Sequence, residues 1–115
     1  MSKRRDREYL SDIIEAIERI DEYAKGLTYS DFMQDKKTQD AVIRNLEVIG
    51  EAAKGITSAI KKKHSEIPWN DMARLRDRLV HHYFGISHEI VWSIVSKELP
   101  SVSDQLASLL AREFG

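Results

Sequence analysis

The chain has 115 residues, 42% of them hydrophobic, and a formal net charge of −1 at pH 7. This length is typical of one domain with one modest core, so we predict a single domain over residues 1–115. The near-neutral charge excludes a global basic field for nucleic acid, and the lack of cysteine excludes disulfides, thiol catalysis and cysteine-based zinc sites. Because we find no signal peptide and no apolar run of membrane-spanning length, we expect a cytoplasmic protein with no membrane contact.

Apolar residues at helical spacing predict a first helix over residues 5–25 and a long second helix over residues 36–62. Gly26 is placed to end the first helix. In the connector that follows, Ser30 or Asp31 is placed to cap a brief helical turn.

The second helix carries a heptad-like seam of large apolar residues beside a seam of mostly small residues, which indicates burial on two sides. Gly50 and Gly55 are unusual inside a helix, where each costs about 1 kcal/mol relative to alanine. We interpret them as marks of a neighbouring helix that approaches closely, or of a bend near Gly55.

Pro68 suits the first turn of a third helix over residues 68–82. Gly85 interrupts the helical pattern before Ser87 caps a fourth helix, and Pro100 either kinks the chain or starts a new helix. We therefore predict an all-α, antiparallel helical bundle of four to five helices with short connections.

Arg76 is the anomalous residue of the third helix. On a regular helix the stripe that we predict to be buried consists of Trp69, Met72, Leu75, Leu79 and Val80, and Arg74 and Arg78 face water on the far side. Arg76 falls about 40° from Met72 and Tyr83 about 20° from it, both inside that stripe. A buried guanidinium is costly unless it is paired. The residues leave two interpretations open. In the structural one, Arg76 forms a buried ion pair or extends its side chain to solvent. In the functional one, its guanidinium binds a phosphate.

The two histidines that follow point apart on the same helix. His81 falls about 180° from Met72, on the side away from Arg76, and His82 lies near the opposite edge of the stripe. Histidine near the C-terminal end of a helix is typical of a charge–dipole contact. Since no His-x3-His pair occurs, we expect no metal site. Asp77 lies at the edge of the stripe, where it orients a neighbour or faces water.

Arg76, four intervening residues, His81 and then Tyr83 resemble the Arg-x4-His-x-Tyr motif of HepT-like toxins in the HEPN superfamily. The surrounding string "EIPWNDMARLRDRLVHHYFGI" and the segment "NLEVIGEAAK" of the second helix resemble the same family, so the resemblance covers most of the chain. It implies a HEPN-like homodimer, in which the two motif helices meet near the dimer axis and form a composite cleft.

The resemblance also implies a function: the toxin of a type VII-like toxin–antitoxin pair, a metal-independent ribonuclease with no cofactor that cleaves tRNA or mRNA, internally or at the 3′ end. His81 would be the general acid and base, and Arg76 would bind the scissile phosphate. Because the 2′-hydroxyl of RNA is the nucleophile, we expect a 2′,3′-cyclic phosphate product. Tyr83 would receive AMP from an MntA-type nucleotidyltransferase antitoxin, which silences the toxin.

Three further residues are expected to support the site. Family motifs often carry asparagine after the arginine, where this chain has Asp77, whose carboxylate can orient its neighbours but opposes phosphate. His82 is a competing candidate for the role given to His81. Glu51 is placed to pair with Arg76 across helices or across the dimer. Two other functions remain open: a non-catalytic helical dimer that binds a nucleotidyltransferase or a nucleotide, and a plain structural dimer.

Overall fold

The computed structural model describes residues 2–80 and 85–115, with the side chains of residues 2–4 outside that description. A π-helical segment (Ile94–Glu98) joins the last two of the α-helices in these residues. The α-helices are α1 (Ser2–Ala24), α2 (Tyr29–Gln34), α3 (Lys36–Gly55), α4 (Ser58–Lys63), α5 (Trp69–Ala73), α6 (Leu75–Leu79), α7 (His88–Ser93) and α8 (Leu99–Phe114). Within the described residues the only β-type pairing is an isolated bridge between Val80 and Ile86. The all-α prediction is therefore confirmed.

Much of the core lies between α1 and α3, whose predicted apolar stripes are buried against each other. Asp6 and Tyr9 near the start of α1 contact Thr57 and Gly55 at the end of α3, so the two helices run antiparallel. The stripes consist of Leu10, Ile13, Ile17 and Ile20 on α1 and Val42, Leu46, Ile49 and Ala53 on α3. This helix pair forms the back of the candidate site described below.

The end of α1 and the start of α2 follow local rules. Gly26 has a φ of 77°, which is easy for glycine alone, and it ends α1 as predicted. The N-cap of α2 is Thr28, whose hydroxyl accepts a hydrogen bond from the Asp31 amide while the Asp31 carboxylate accepts one from the Thr28 amide. The prediction that Ser30 or Asp31 caps this helix is wrong by two or three residues.

The predicted helix over residues 36–62 is wrong beyond Gly55, where α3 ends. Ile56 is extended, and α4 begins after Thr57. The break is stabilised from α1, because the buried Asp6 carboxylate accepts hydrogen bonds from the amide and hydroxyl of Thr57 at 2.9 and 2.7 Å. The predicted bend near Gly55 is confirmed.

The predicted continuous helix over residues 68–82 is also wrong. A break at Arg74 separates α5 from α6, and Val80 is extended. The carbonyl of Leu79 accepts a hydrogen bond at 2.8 Å from the Ser87 amide, eight residues ahead in the chain. Ser87 caps α7 as predicted, with its hydroxyl accepting from the Ile90 amide.

The C-terminal half of the bundle is a run of helix with one widened turn. The Leu99 amide donates to the Ile94 carbonyl, which spans five residues instead of four. Pro100, which has no amide hydrogen to donate to a preceding carbonyl, follows this wider turn directly. Pro100 starts α8, as predicted, and Val102, Leu106 and Leu109 are buried. Among the described residues, no helix combines the length and the apolar character that crossing a membrane requires.

Candidate functional site

A groove of about 510 Å³ lies between α1, α3 and the α5–α6 pair, and Arg76 lines it. Its volume is within the range typical of small-molecule sites. Its charged lining residues are Arg44, Lys54, Arg76, Asp12, Glu47 and Glu51. Because cations and carboxylates are equal in number, the groove has no strong net field and suits a ligand with both charged and neutral polar groups.

Gly50 allows the two walls of this groove to come together. A Cβ atom at Gly50 would lie 3.3 Å from the carbonyl oxygen of Met72 and 3.7 Å from that of Ala73. The bare Cα therefore lets α3 approach the end of α5, and Glu51 and Arg76 line one groove as a result. The prediction of close helix approach at Gly50 is confirmed.

Arg76 is exposed, so the prediction that it lies in a buried stripe is wrong. Met72, Leu75 and Leu79 are buried as predicted, but the break at Arg74 ends the regular rotation per residue on which the position of Arg76 was based. Arg76 has no hydrogen-bond or ion-pair partner among the described residues. No contact among the described residues occupies its guanidinium, which is exposed to an anion in the groove.

The structure separates Arg78 from Arg76. Arg78 was expected to face water, but it is partly buried and donates two hydrogen bonds to the Glu98 carboxylate, at 3.0 and 2.8 Å. These hydrogen bonds from Arg78 to Glu98 raise the pKa of Arg78. Val80, predicted to be buried, is 49% exposed because the chain leaves the helix at that residue.

The supporting residues Glu51 and Asp77 lie in different places. Glu51 is exposed beside Arg76 in the groove, and its carboxylate lies 3.6 Å from the ammonium of Lys54. Asp77 is exposed in a separate depression that Arg74 and Arg78 also line. The structure thus brings Glu51, but not Asp77, to the groove of Arg76.

His81, His82 and Tyr83 lie outside the described residues, so their predicted positions stay predictions. The described residues on either side are tied together by the bridge between Val80 and Ile86. Within residues 2–80 and 85–115, no three histidine or acidic side chains are grouped in a way that could hold a metal ion.

The sequence analysis did not identify Tyr9, Arg44 and Lys54 as lining residues of this groove. Tyr9 reaches it because its ring lies directly against Gly55, where a Cβ atom would be 2.4 Å from the ring Cζ. The seam of mostly small residues on α3, which we interpreted as a sign of burial, was the sequence feature that could have located the groove. Val48 and Ala52 of that seam line the groove.

Comparison with known proteins gives one consistent family. The family model described as "Ribonuclease HepT-like" matches residues 13–109. A protein of Thermococcus cleftensis named "Probable ribonuclease HepT" is 49% identical over 107 residues, which cover 93% of this chain and 97% of that protein.

Other relatives carry similar names. A protein of Methanocaldococcus jannaschii named as a candidate RNase is 44% identical over 96% of this chain and 91% of its own length. A protein of Caldanaerobacter subterraneus subsp. tengcongensis, also named as a candidate RNase, is 38% identical over 93% of this chain and 96% of its own length. No solved structure matches the chain significantly.

Proposed function

Because the chain belongs to the HepT-like ribonuclease family, we propose that it is a metal-independent ribonuclease that acts as the toxin of a toxin–antitoxin pair. The observation that carries the proposal is the exposed guanidinium of Arg76, which lines a groove and has no partner among the described residues. A structural arginine would be paired, as Arg78 is with Glu98. An arginine that binds phosphate needs a guanidinium whose hydrogen-bond donors are not already occupied by a carboxylate.

In the proposed reaction the 2′-hydroxyl of RNA attacks the adjacent phosphorus, and the bond from phosphorus to the 5′-oxygen breaks. His81 removes the proton from the 2′-hydroxyl, and a protonated histidine supplies one to the departing 5′-oxygen. In a homodimer, each subunit contributes one His81, so both roles are filled. Histidine with a pKa near 6.5 serves either role at neutral pH. Arg76 stabilises the negative charge that develops on the phosphorane, and the product carries a 2′,3′-cyclic phosphate.

The homodimer is part of the proposal, because the groove of the single chain leaves Arg76 exposed to solvent. Val80 and Ile86, which flank residues 81–84, are large apolar side chains exposed by 49% and 39%. Their exposure fits a surface that a second subunit covers. We expect the wild type to sediment as a dimer and Val80→Asp to shift it towards the monomer, with Tyr29→Asp as a control at an exposed apolar residue of α2.

Silencing is proposed to occur at Tyr83. Its hydroxyl oxygen attacks the α-phosphorus of ATP bound to an MntA-type nucleotidyltransferase, and pyrophosphate leaves. The added AMP is negatively charged and bulky, so it competes with RNA for Arg76 and His81. After incubation with such an enzyme and ATP, the intact mass should rise by AMP in the wild type and in Tyr29→Phe but not in Tyr83→Phe.

The deciding experiment incubates total RNA with the protein in excess EDTA and identifies the fragment ends. We expect cyclic phosphate ends from the wild type, and losses of about 10²- to 10⁴-fold in His81→Ala, which lacks the general acid and base. Arg76→Ala should also be strongly impaired. His88→Ala, on α7, and Arg74→Ala, in the separate depression, are matched controls that should retain activity.

A binding measurement separates this proposal from a non-catalytic dimer. In a His81→Ala background, removal of Arg76 should reduce the slope of log affinity against log salt for single-stranded RNA by roughly 0.7, the value for one phosphate contact. Intact RNA with wild-type protein whose mass shows no AMP would contradict the ribonuclease and favour a module that binds a nucleotidyltransferase or nucleotide.

A further inference from the structure

The helix that carries Arg76 is too short to hold its own orientation. α6 has five residues, begins at the break at Arg74 and ends where Val80 becomes extended. An isolated helix of this length is not stable in water, so tertiary contacts must set its direction. Leu75 and Leu79 are buried and anchor one side of it.

A neighbouring side of α6, about 60° around the axis from Leu75, is held by an ion pair with defined geometry. Arg78 donates from both terminal nitrogens to the two oxygens of Glu98, at 3.0 and 2.8 Å. Two parallel bonds between planar groups fix orientation as well as distance, which a single charge contact does not. The pair therefore resists rotation of α6 about its axis, and that rotation would carry Arg76 out of its groove.

Glu98 is in position because of the widened turn before Pro100. It is the last residue of the π-helical segment Ile94–Glu98, and the extra residue in such a turn shifts the following side chains by about 100° around the axis. One residue beyond Arg78, the Leu79 carbonyl accepts a hydrogen bond from the Ser87 amide at 2.8 Å. The C-terminal helices thus hold α6 at two consecutive residues, directly before the segment that contains His81.

We propose that Arg78 and Glu98 are a positioning pair for the ribonuclease site, an inference that rests on the proposed function. They touch neither RNA nor the reacting atoms. They keep Arg76 and the start of the following segment in the geometry that the chemical step needs. Displacement of a catalytic group by about 1 Å costs up to roughly 100-fold in rate, so loss of the pair should appear in kcat.

The test compares Glu98→Gln and Arg78→Lys with the wild type, using RNA cleavage in EDTA, thermal unfolding and hydrogen exchange. Arg78→Lys keeps the positive charge but removes the planar guanidinium and its two parallel hydrogen bonds. It therefore separates the effect of bond geometry from the effect of charge. The matched control is Glu15→Gln, which breaks the exposed ion pair between Glu15 and Arg19 on α1, a 2.7 Å contact remote from α6.

We expect kcat to fall by about tenfold or more in both variants, with a smaller change in KM and a melting temperature close to that of the control. The reversed pair Arg78→Glu/Glu98→Arg should recover part of the lost kcat. A kcat within twofold of the wild type in folded Glu98→Gln would overturn the inference. A loss of kcat explained entirely by unfolding of the variant, as its melting temperature would show, would also overturn it.

Hydrogen exchange keeps this test separate from the proposed function. The amides of residues 74–80 should exchange faster in Glu98→Gln than in wild type and Glu15→Gln, while those of α8 beyond Pro100 stay unchanged. If wild-type protein leaves RNA intact, the proposed function fails, and exchange alone decides whether the pair holds α6. Unchanged exchange over residues 74–80 would overturn the inference whatever the activity.

Discussion

Asp6→Ala should destabilise the protein more than any other removal of a single carboxylate from α1. Asp6 is 2% exposed, and its two oxygens accept hydrogen bonds from the amide and hydroxyl of Thr57 at 2.9 and 2.7 Å. These bonds connect the start of α1 to the break between α3 and α4. In Asp6→Ala both donors of Thr57 lose their acceptor in a partly buried place.

The magnitude follows from the number and type of these bonds. Hydrogen bonds to charged groups contribute about 1.5–3 kcal/mol each, and the buried carboxylate itself has a desolvation cost that its removal relieves. We therefore expect a net loss of about 2–3 kcal/mol in the free energy of unfolding. For a chain of 115 residues, 1 kcal/mol corresponds to roughly 4 °C, so the melting temperature should fall by about 8–12 °C.

The assay is urea and thermal unfolding of a double-mutant cycle with Thr57→Ala. Thr57→Ala removes the hydroxyl donor and keeps the amide donor. If these bonds are the cause, Asp6→Ala should cost less in the Thr57→Ala background, with a coupling energy of about 1–2 kcal/mol from the hydroxyl bond. Asp21→Ala, at an exposed carboxylate of the same helix, should change stability by less than about 0.5 kcal/mol. Equal costs in both backgrounds, or a melting temperature unchanged by Asp6→Ala, would refute the reasoning.

Three more outcomes follow from the contacts of single side chains. Gly55→Ala should cost about 1–2 kcal/mol by urea unfolding, because its Cβ would meet the Tyr9 ring, and Tyr9→Ala should abolish that cost. A hydrogen bond from His64 lowers the pKa of Glu113, so this carboxylate stabilises the fold above its unfolded pKa and loses that effect as pH falls through the lowered value. The melting-temperature difference between wild type and Glu113→Gln should therefore be constant at neutral pH and shrink below about pH 4.5. Arg76→Ala should change the melting temperature by less than about 2 °C, since Arg76 is exposed and lacks a partner among the described residues.

The features predicted correctly from the sequence depend on a single helix: the apolar stripe that recurs along it and the residues that mark its ends. The apolar stripes of α1 and α3 repeat through about three turns each, so their burial follows from periodicity alone. Gly26 and Ser87 mark helix ends through backbone conformation and capping, which depend on their nearest neighbours. Such signals need no knowledge of the rest of the chain.

The breaks at Thr57 and Val80 could not be predicted in this way, because the contacts that stabilise them come from outside the helix that ends there. The Asp6 carboxylate that stabilises the first break lies 51 residues from Thr57. The bond from the Ser87 amide to the Leu79 carbonyl stabilises the end of α6 at Val80. A helical wheel assumes one regular helix, so it misplaced Val80 at this end and misplaced Arg76 because α5 and α6 are separated at Arg74, while it placed Leu75 correctly.

The arginines on either side of Asp77 show why the error at Arg76 matters for function. A continuous helix would bury Arg76 in the core stripe, where desolvation would require a carboxylate partner and leave no capacity for an anion. The break at Arg74 removes that requirement, because the buried leucines and the Arg78–Glu98 pair hold α6 without any contribution from Arg76. The short helix thus assigns stability to Arg78 and leaves Arg76 exposed in the groove, without a partner among the described residues. A substitution at Arg76 should consequently affect RNA cleavage without affecting folding, whereas one at Arg78 should act on cleavage through the position of α6.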